Sequence, residues 1–335
     1  MYRSLTLLLS LVLFATAAAA EGGRENPGIQ SEVRTEYTDL IPKSRVVINS
    51  PSEENFRKGK SVRLILFALP NGNTIEETEG RTGPLLPSEW RYDIQHIAAQ
   101  IRFLREHDRG HNYIVAYLEA AQKGWTIHAS QLPDSPQHYK KLTDTILAIV
   151  KASLPGSVSR EPLSLILSSH SGGGRFVLNY LQSAEQIPHI VERIAFIDSN
   201  YGYEEELYAD KLNAWLKGDR NRHLGVMAYV DTTVILNGKR IVSSKGGTGY
   251  RTQMMASDLQ KRGVRFREHT DTSFVRKFSS DGQAAFWIKE NPTGKIFHTI
   301  LVERNGLVHQ ILFGSRLEER GYRFWGERCY GKYIK

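Results

Sequence analysis

The sequence predicts an α/β fold with a mostly parallel central sheet and helices packed on both faces of that sheet. Apolar runs of strand length alternate along the chain with stretches whose apolar residues recur every three or four positions. The run at 62–69 is apolar almost throughout, as in a strand that is buried on both faces. A second apolar run, at 163–167, leads through a glycine-rich turn directly into a helical pattern. Strands that are connected through helices pair in parallel and build one sheet.

The first twenty residues have the pattern of a secretion signal peptide. Arg3 supplies the positive charge, 5–15 is apolar, and the alanines at 18–20 form a small-residue cleavage site before Glu21. We therefore expect a mature chain that starts near Glu21 and is secreted or periplasmic. The apolar run is short for a membrane span and no second run approaches that length, so no transmembrane segment is expected after cleavage.

The remaining chain divides into a polar linker, predicted at 21–44, and a single α/β domain, predicted at 45–335. The linker prediction follows from its polar, glycine- and proline-containing composition. A β-hairpin with its turn at Asp281-Gly282 is predicted within 273–288, as a possible insertion over the site. Strands are predicted at 45–49, 62–69, 113–118, 163–167, 194–197, 225–230 and 264–266, and helices at 93–104, 138–152, 207–216, 250–261 and after the turn that ends at Gly174.

A serine stands at the tight turn between the second buried strand and its helix. A strand, a strained turn and a helix, with a serine at the turn, form the setting of a nucleophile elbow. The flanks must be small, and here they are Ser169 two residues before Ser171 and Gly173 two residues after it. The usual pattern is Gly-x-Ser-x-Gly, so Ser169 is a departure. The alternative interpretation is a glycine-rich turn that only packs, or that binds an anion at the helix N–H groups.

The segment His170-Ser171-Gly172-Gly173 resembles the His-Ser-x-Gly form that is frequent in the α/β-hydrolase family. The resemblance covers the element order from about 62 to 312, and the elbow is its only specific motif. It implies an α/β-hydrolase fold and serine-hydrolase chemistry. It also implies a chain order in which the nucleophile is followed by an acid after a later strand and then by a histidine near the C-terminus.

Two aspartates end predicted strands after the elbow, and both are candidates for the acid. Asp198 is followed by small and turn-forming residues, which suits a carboxylate at the carboxyl edge of a sheet. Asp231 lies at the commoner family position. We favour Asp198 and keep Asp231 as the alternative. Without a catalytic role, Asp198 would cap the following helix and Asp231 would lie in a surface turn.

His298 and His309 compete for the role of the general base. The resemblance places the base just before the last helix, and His298 precedes apolar residues that recur at helical spacing up to Leu312. The rival interpretation is a hairpin around Asn305-Gly306, a strong turn dipeptide, with both histidines on its strands. We favour His298, with His309 as the alternative.

An oxyanion hole requires two N–H groups directed at the developing negative charge. The residue after the nucleophile, Gly172, is expected to supply one. In this family the second comes from the loop after an early strand, which here contains Asn71 and Gly72. The alternative for this loop is an ordinary turn.

The composition excludes several other classes of function. Cys329 is the only cysteine, so neither an internal disulfide nor a cysteine-based metal site is possible, and no metal-ligand spacing is found. The formal net charge is +8, but the basic residues are scattered, which argues against nucleic-acid binding. The glycine-rich run 246–249 follows no clear strand, which argues against a dinucleotide site. No cofactor is expected, and the sequence does not predict the oligomeric state.

The sequence therefore predicts a secreted serine hydrolase, an esterase that acts through an acyl-enzyme on a small-molecule or cell-envelope ester. Amide hydrolysis by the same residues is a close variant. A non-catalytic α/β-hydrolase-like binding protein of the envelope is the alternative from a different class. A weaker alternative is an anion- or glycan-binding protein that uses the N-terminus of the elbow helix.

Overall fold

The computed structural model of the protein describes residues 30–243, 245–296 and 298–335. The predicted signal peptide, 1–20, and the first part of the predicted linker lie outside these residues. Among the described residues, no helix combines the length and the apolar composition that crossing a membrane requires.

Ten strands form one sheet in the order β1-β2-β4-β3-β5-β6-β7-β12-β11-β10, and β8 and β9 form a separate two-stranded ribbon. The six strands from β4 to β12 in this order are parallel neighbours, whereas β1, β2, β10 and β11 pair antiparallel at the two margins. The strands are β1 (Glu32–Thr38), β2 (Ser44–Pro51), β3 (Ser61–Ala68), β4 (His111–Ala120), β5 (Leu163–His170), β6 (Val191–Ile197), β7 (His223–Tyr229), β8 (Ile235–Leu236), β9 (Lys239–Arg240), β10 (Phe266–Thr270), β11 (Phe274–Ser279) and β12 (Ala284–Lys289).

Helices cover both faces of the sheet, because side chains of the inner strands alternate between two hydrophobic cores. In β3, Leu64 and Leu66 pack in the core that α3 to α7 cover, while Ile65 and Phe67 pack in the core that α1, α2, α8 and α9 cover. This architecture confirms the predicted fold class. The helices are α1 (Ile75–Glu79), α2 (Ile97–His107), α3 (Trp125–Gln131), α4 (Ser135–Ser153), α5 (Gly174–Gln182), α6 (Glu205–Gly218), α7 (Thr248–Lys261), α8 (Thr299–Leu301) and α9 (Leu307–Leu312).

Part of the predicted linker belongs to the sheet. Residues 32–38 form β1, which pairs antiparallel with β2 along its whole length. Glu32 also accepts hydrogen bonds from Arg102 at 2.8 Å and from Arg105 at 2.6 Å. The prediction of a loose linker over 21–44 is therefore wrong for these residues, because ion pairs and main-chain bonds hold a strand that has little apolar surface.

The C-terminal third contains the predicted hairpin but not the predicted insertion. β11 and β12 pair antiparallel around Asp281-Gly282, where Gly282 has a φ of +78°. β12 is an integral strand of the main sheet, since it also pairs in parallel with β7. The following segment is helical rather than a second hairpin: α8 continues through a π-helical turn at 302–306 into α9. Asn305 adopts a φ of +66° inside this interrupted helix.

Candidate active site

Ser171 occupies a strained turn at the carboxyl edge of the sheet. β5 ends at His170, a 3-10 turn covers 171–173, and α5 begins at Gly174. The φ angle of Ser171 is +52°, in the left-handed region that residues other than glycine seldom adopt. Such strain persists only where the surrounding structure imposes it, and it clusters at functional sites. Strand, strained serine and helix thus have the arrangement of a nucleophile elbow.

The glycines after Ser171 allow the turn to lie directly against neighbouring backbone. A Cβ on Gly173 would overlap the carbonyl group of Ala68, the last residue of β3. A Cβ on Gly174 would overlap the carbonyl group of Ser199, which follows β6. The turn is therefore wedged between the ends of the two strands that flank β5, and any side chain at these positions would push it out of place.

Ser169 is accommodated at the position where the usual pattern has glycine. Its side chain is fully buried, and its Oγ lies 2.8 Å from the Oγ of Ser199. The Ser199 hydroxyl in turn donates to the carbonyl of Ser169 at 3.2 Å. Ser168 is also fully buried. Of the three neighbouring serines, only Ser171 is partly exposed to solvent.

A small cleft of about 280 Å³ opens beside Ser171. Because parallel strands end at one edge of the sheet, residues that follow different strands meet there, as is usual for ligand sites in α/β proteins. The cleft is lined by Asn71, Thr126, Ser171, Gly172, Arg175, Ser199, Tyr201 and Gly202.

A larger cleft, of about 560 Å³, lies at the opposite edge of the sheet, where the parallel strands begin. Its walls include Arg63 near the start of β3 and His111, Leu163 and His223 at the starts of β4, β5 and β7. No residue that the sequence predicts for the site lines it. Volume alone therefore does not identify the candidate site, and the strained serine does.

Two of the three predicted oxyanion-hole residues lie beside Ser171. Gly172 lies in the 3-10 turn that leads into α5, where the first N–H groups have no partner within the helix. The Asn71 side chain contacts it closely, since a Cβ on Gly172 would lie 2.0 Å from the Asn71 Oδ1 atom and 2.6 Å from its Nδ2 atom. The N–H of Gly72, however, donates a 2.8 Å hydrogen bond to the carbonyl of Lys123. Contrary to the prediction, the N–H of Gly72 is therefore not available to an oxyanion. Gly172 and Asn71 remain as the candidate donors.

His298 lies at the same edge of the sheet as Ser171. Its ring packs edge-on against the ring of His170, with 5.4 Å between the ring centroids. It also packs edge-on against the ring of Tyr229, with 6.4 Å between the centroids. These two neighbours are the last residues of β5 and β7. Burial lowers the pKa of His298, which favours the neutral imidazole that a general base requires.

His309 lies in the hydrophobic core. It stacks on Phe324 with 4.7 Å between ring centroids, packs edge-on against Trp287, and shares a 3.1 Å hydrogen bond with the hydroxyl of Tyr322. Burial lowers its pKa to about 3, with the positive charges of Arg193 and Arg276 acting in the same direction. The structure therefore gives His309 a packing role and does not bring it to the cleft.

Both candidate acids lie buried at the carboxyl edge. Asp198 directly follows β6 and has a φ of +48°, a second strained residue at this edge. Asp231 follows β7 by two residues. Both side chains are inaccessible to solvent, so Asp231 does not lie in a surface turn.

Thr248, the first residue of α7, joins the two carboxylates. Its hydroxyl donates to Oδ1 of Asp198, and its backbone N–H donates to Oδ2 of Asp231 at 2.9 Å. Burial raises the pKa of Asp198 well above its usual range, and the nearby charge of Asp231 raises it further, against the effect of the Thr248 hydrogen bond. Burial also raises the pKa of Asp231. Two carboxylates so placed titrate as a coupled pair.

One oxygen of each carboxylate is left for another donor. Among the described residues, Oδ2 of Asp198 and Oδ1 of Asp231 are buried without a hydrogen-bond partner. No hydrogen bond between described residues joins His298 to Ser171 or to either aspartate. The structure thus gathers a serine, a histidine and two acids at one edge, and it does not join them into a hydrogen-bonded triad.

Two residues near the site, Thr248 and Arg175, were not predicted from the sequence. The glycine run at 246–249 is the signal for Thr248, because a Cβ on Gly247 would overlap the carboxylate of Asp231. Those glycines let the start of α7 approach the two acids. Arg175 lies only four residues after Ser171 and lines the cleft beside it. Within the described ranges, no cluster of three or more His, Cys, Asp or Glu side chains could hold a metal ion.

Comparison with known proteins gives structural similarities only. No family model and no curated protein matches the sequence. The chain is similar to a feruloyl esterase module from Clostridium thermocellum, with a TM-score of 0.48 at 12% identity over 89% of this chain and 93% of that one. It is also similar to a siderophore hydrolase from Aspergillus nidulans, with a TM-score of 0.47 at 12% identity over 92% of this chain and 100% of that one. A thermostable esterase gives a TM-score of 0.43 at 12% identity over 78% of this chain, which spans 55% of the length of that esterase.

The mostly parallel sheet, its helices on both faces and the strained serine turn after β5 make this an α/β-hydrolase-like fold, as the sequence predicts.

Proposed function

We propose that the protein is a serine hydrolase that cleaves an ester through an acyl-enzyme on Ser171. The observation that carries the proposal is the strained conformation of Ser171, at the end of a buried strand and at the wall of a cleft. A turn that only packed could use glycine there without strain, so a serine held at a φ of +52° is best accounted for by its hydroxyl.

In the proposed mechanism, the neutral imidazole of His298 takes the proton of Ser171 as Oγ attacks the ester carbonyl carbon. The oxyanion that forms is stabilised by N–H groups of Gly172 and Asn71. His298 then donates its proton to the departing alcohol, which leaves the acyl group on Ser171. Water, activated by the same histidine, releases the acid. An amide would follow the same steps with an amine as the leaving group.

We assign the acid to Asp198, with Asp231 as the alternative. The acid holds the imidazole in the correct tautomer and stabilises the imidazolium. Oδ2 of Asp198 is the oxygen that would accept the imidazole N–H, and the Thr248 hydroxyl holds the other oxygen. His298 must turn toward this oxygen for catalysis.

A fluorophosphonate probe tests the proposal directly. We expect the folded protein to be labelled at Ser171, and Ser171→Ala to lose labelling and esterase activity together. Ser168→Ala is the matched control, since it removes a buried hydroxyl three residues away. Labelling that persists in Ser171→Ala would place the nucleophile elsewhere.

A second candidate function is that of a non-catalytic α/β-hydrolase-like binding protein of the cell envelope. It is favoured by one observation: no hydrogen bond between described residues joins His298 to a carboxylate. The same experiment separates the two. A well-folded wild-type protein that resists probes of several sizes, and that hydrolyses no short-chain aryl ester, would support the binding protein.

We also propose that the protein is exported, on the basis of the signal-peptide pattern alone. N-terminal sequencing of the mature protein should find a start near Glu21. A mature protein that retains Met1 would contradict export through this signal.

A further inference from the structure

A single arginine places its guanidinium group in the cleft beside Ser171. Arg175 is the second residue of α5, four residues after the proposed nucleophile. Its Cζ and Nη2 atoms lie 3.4 Å from the point that a Cβ on Gly202 would occupy. Gly202 itself lines the cleft. The guanidinium therefore lies within contact distance of this part of the cleft wall.

The guanidinium of Arg175 has no carboxylate partner among the described residues, in contrast to several buried or half-buried arginines of the protein. Arg102, for example, donates to Glu32 at 2.8 Å. Arg262 donates to Asp210 at 2.6 Å. No ion pair and no hydrogen bond from the Arg175 guanidinium to another described residue is formed. Its five N–H donors are thus available to a ligand.

The other walls of the cleft are neutral. Three hydroxyl side chains, those of Thr126, Ser199 and Tyr201, line it together with Asn71, and no aspartate or glutamate does. The two buried acids, Asp198 and Asp231, do not line it. A cleft with one positive charge, no negative charge and several hydrogen-bond donors is complementary to an anion.

We propose that Arg175 binds an anionic group of the substrate, so that the enzyme acts on small acidic esters. This inference rests on the proposed function and names the substrate class of the same site. The planar guanidinium forms paired hydrogen bonds with a carboxylate or a phosphate. The cleft, at about 280 Å³, is below the range of roughly 300–1,000 Å³ that holds drug-sized ligands. Its size therefore suits a short ester rather than a long acyl chain or a polymer.

The test compares pairs of esters, one with and one without an anionic group. A carboxylate on the acyl side is tested with the 4-nitrophenyl monoester of glutaric acid against its methyl ester. A carboxylate on the alcohol side is tested with 4-acetoxybenzoate against methyl 4-acetoxybenzoate, and a phosphate with 4-acetoxyphenyl phosphate against phenyl acetate. We expect wild type to prefer the anionic member of at least one pair in kcat/KM, and the pair that responds identifies the anion and its side.

Arg175→Gln should reduce that preference by about 10- to 100-fold, the effect of losing a charge-assisted hydrogen-bonded pair. Arg175→Lys should retain part of it, because the charge stays while the paired geometry is lost. Arg220→Gln, which removes an exposed arginine outside the cleft, is the matched control and should leave the ratio unchanged. Thermal unfolding of each variant verifies that it is folded, and Arg175→Lys keeps the test decisive if Arg175→Gln does not fold.

Two results would overturn the inference while leaving the proposed function intact. In one, wild type hydrolyses the neutral esters and prefers no anionic partner. In the other, the preference survives unchanged in both Arg175 variants. Failure to hydrolyse any of these esters, together with failure to label Ser171, would instead refute the proposed function, and the inference with it.

Discussion

The backbone N–H of Thr248 donates a 2.9 Å hydrogen bond to Oδ2 of Asp231. The hydroxyl of the same residue donates to Asp198, so one residue at the start of α7 holds two buried carboxylates together. Burial raises the pKa of both acids, and the nearby charge of Asp231 raises that of Asp198 further. In the proposed mechanism, the ionisation of this pair sets the pH at which a carboxylate is available to His298.

Asp231→Asn should shift the acidic limb of the kcat/KM profile to lower pH. Burial, and then the negative charge of Asp231, raise the pKa of Asp198. Removing that charge lowers this pKa, so the ionised form of Asp198 persists to lower pH. Tyr201 and Tyr229, which also face the pair, stay neutral because burial raises their pKa values. Burial also lowers the pKa of His298, which moves the titration of the histidine to lower pH.

The measurement for Asp231→Asn is kcat/KM on a neutral aryl ester from about pH 4 to 9, where buried carboxyl and histidine groups titrate. Glu206→Gln, which removes an exposed acid from α6, is the control and should leave the profile unchanged. An acidic limb that stays in place, or moves to higher pH, would show that the charge of Asp231 does not act on the catalytic acid.

Asp198→Asn should reduce kcat more severely than Asp231→Asn does. Replacing a triad aspartate by asparagine leaves the geometry but favours the wrong histidine tautomer, at a loss of about 10⁴ in kcat. Asp231→Asn should preserve most of the rate at neutral pH, because the asparagine Oδ1 can still accept the Thr248 N–H. Steady-state kinetics on one ester, with thermal unfolding of both variants, tests this order. Loss of turnover in Asp231→Asn alone would make Asp231 the acid.

Local signals in the sequence predicted most of the sheet and the position of the elbow. The run 163–167 and the glycine turn after it specify strand, turn and helix within a few residues, since burial and backbone strain act locally there. The strand β1 gave no such signal, because its EVRTEYT sequence is polar and its stability comes from pairing with β2 and from Glu32. An ion pair with partners 70 and 73 residues away cannot be inferred from composition.

Only part of the candidate site could be predicted, because its remaining contacts also join residues that are distant in the sequence. Residues that follow parallel strands meet at one edge, so Ser171, Asp198 and His298 could be placed there from the order of the elements. Thr248 could not, since it is 50 residues from Asp198 and its hydroxyl meets that acid only through tertiary packing. The Asn305-Gly306 dipeptide suggested a hairpin, but the structure uses the positive φ of Asn305 to interrupt a helix.

Gly174→Ala should destabilise the protein by about 2 to 3 kcal/mol, the upper part of the range for overpacked sites. The added Cβ would overlap the carbonyl of Ser199, and neither backbone can yield without moving β6 or the elbow. Gly156→Ala is the matched control, because a Cβ there would meet nothing within 4 Å and the residue has no positive φ. Urea unfolding of both variants measures the difference. Equal stability of the two would mean that the turn is not wedged between the strands.

His309→Ala should mainly reduce stability, whereas His298→Ala should mainly suppress labelling. His309 stacks on Phe324 and packs against Trp287, so its removal should cost about 2 to 4 kcal/mol of unfolding free energy. Fluorophosphonate labelling of the protein that remains folded should continue. His298→Ala should cost about 1 kcal/mol or less, because the side chain is only half-buried, and should suppress labelling because Ser171 loses its base. Suppressed labelling in a folded His309→Ala protein would reverse the two roles.

Ser171→Gly should be more stable than Ser171→Ala, although both lack the proposed nucleophile. Serine and alanine at a φ of +52° share the same steric strain, because both carry a Cβ. Relief of that strain by glycine is worth about 1 to 2 kcal/mol. Glycine also loses more chain entropy on folding, at a cost of about 0.5 to 1 kcal/mol, so the net gain is about 0 to 1.5 kcal/mol. Urea unfolding of the two variants measures this difference, and both should be inactive toward esters. If Ser171→Gly is instead less stable than Ser171→Ala by about 0.5 to 1 kcal/mol, the entropy cost of glycine alone, the turn stores no strain, and the principal support for a nucleophile at this position is lost.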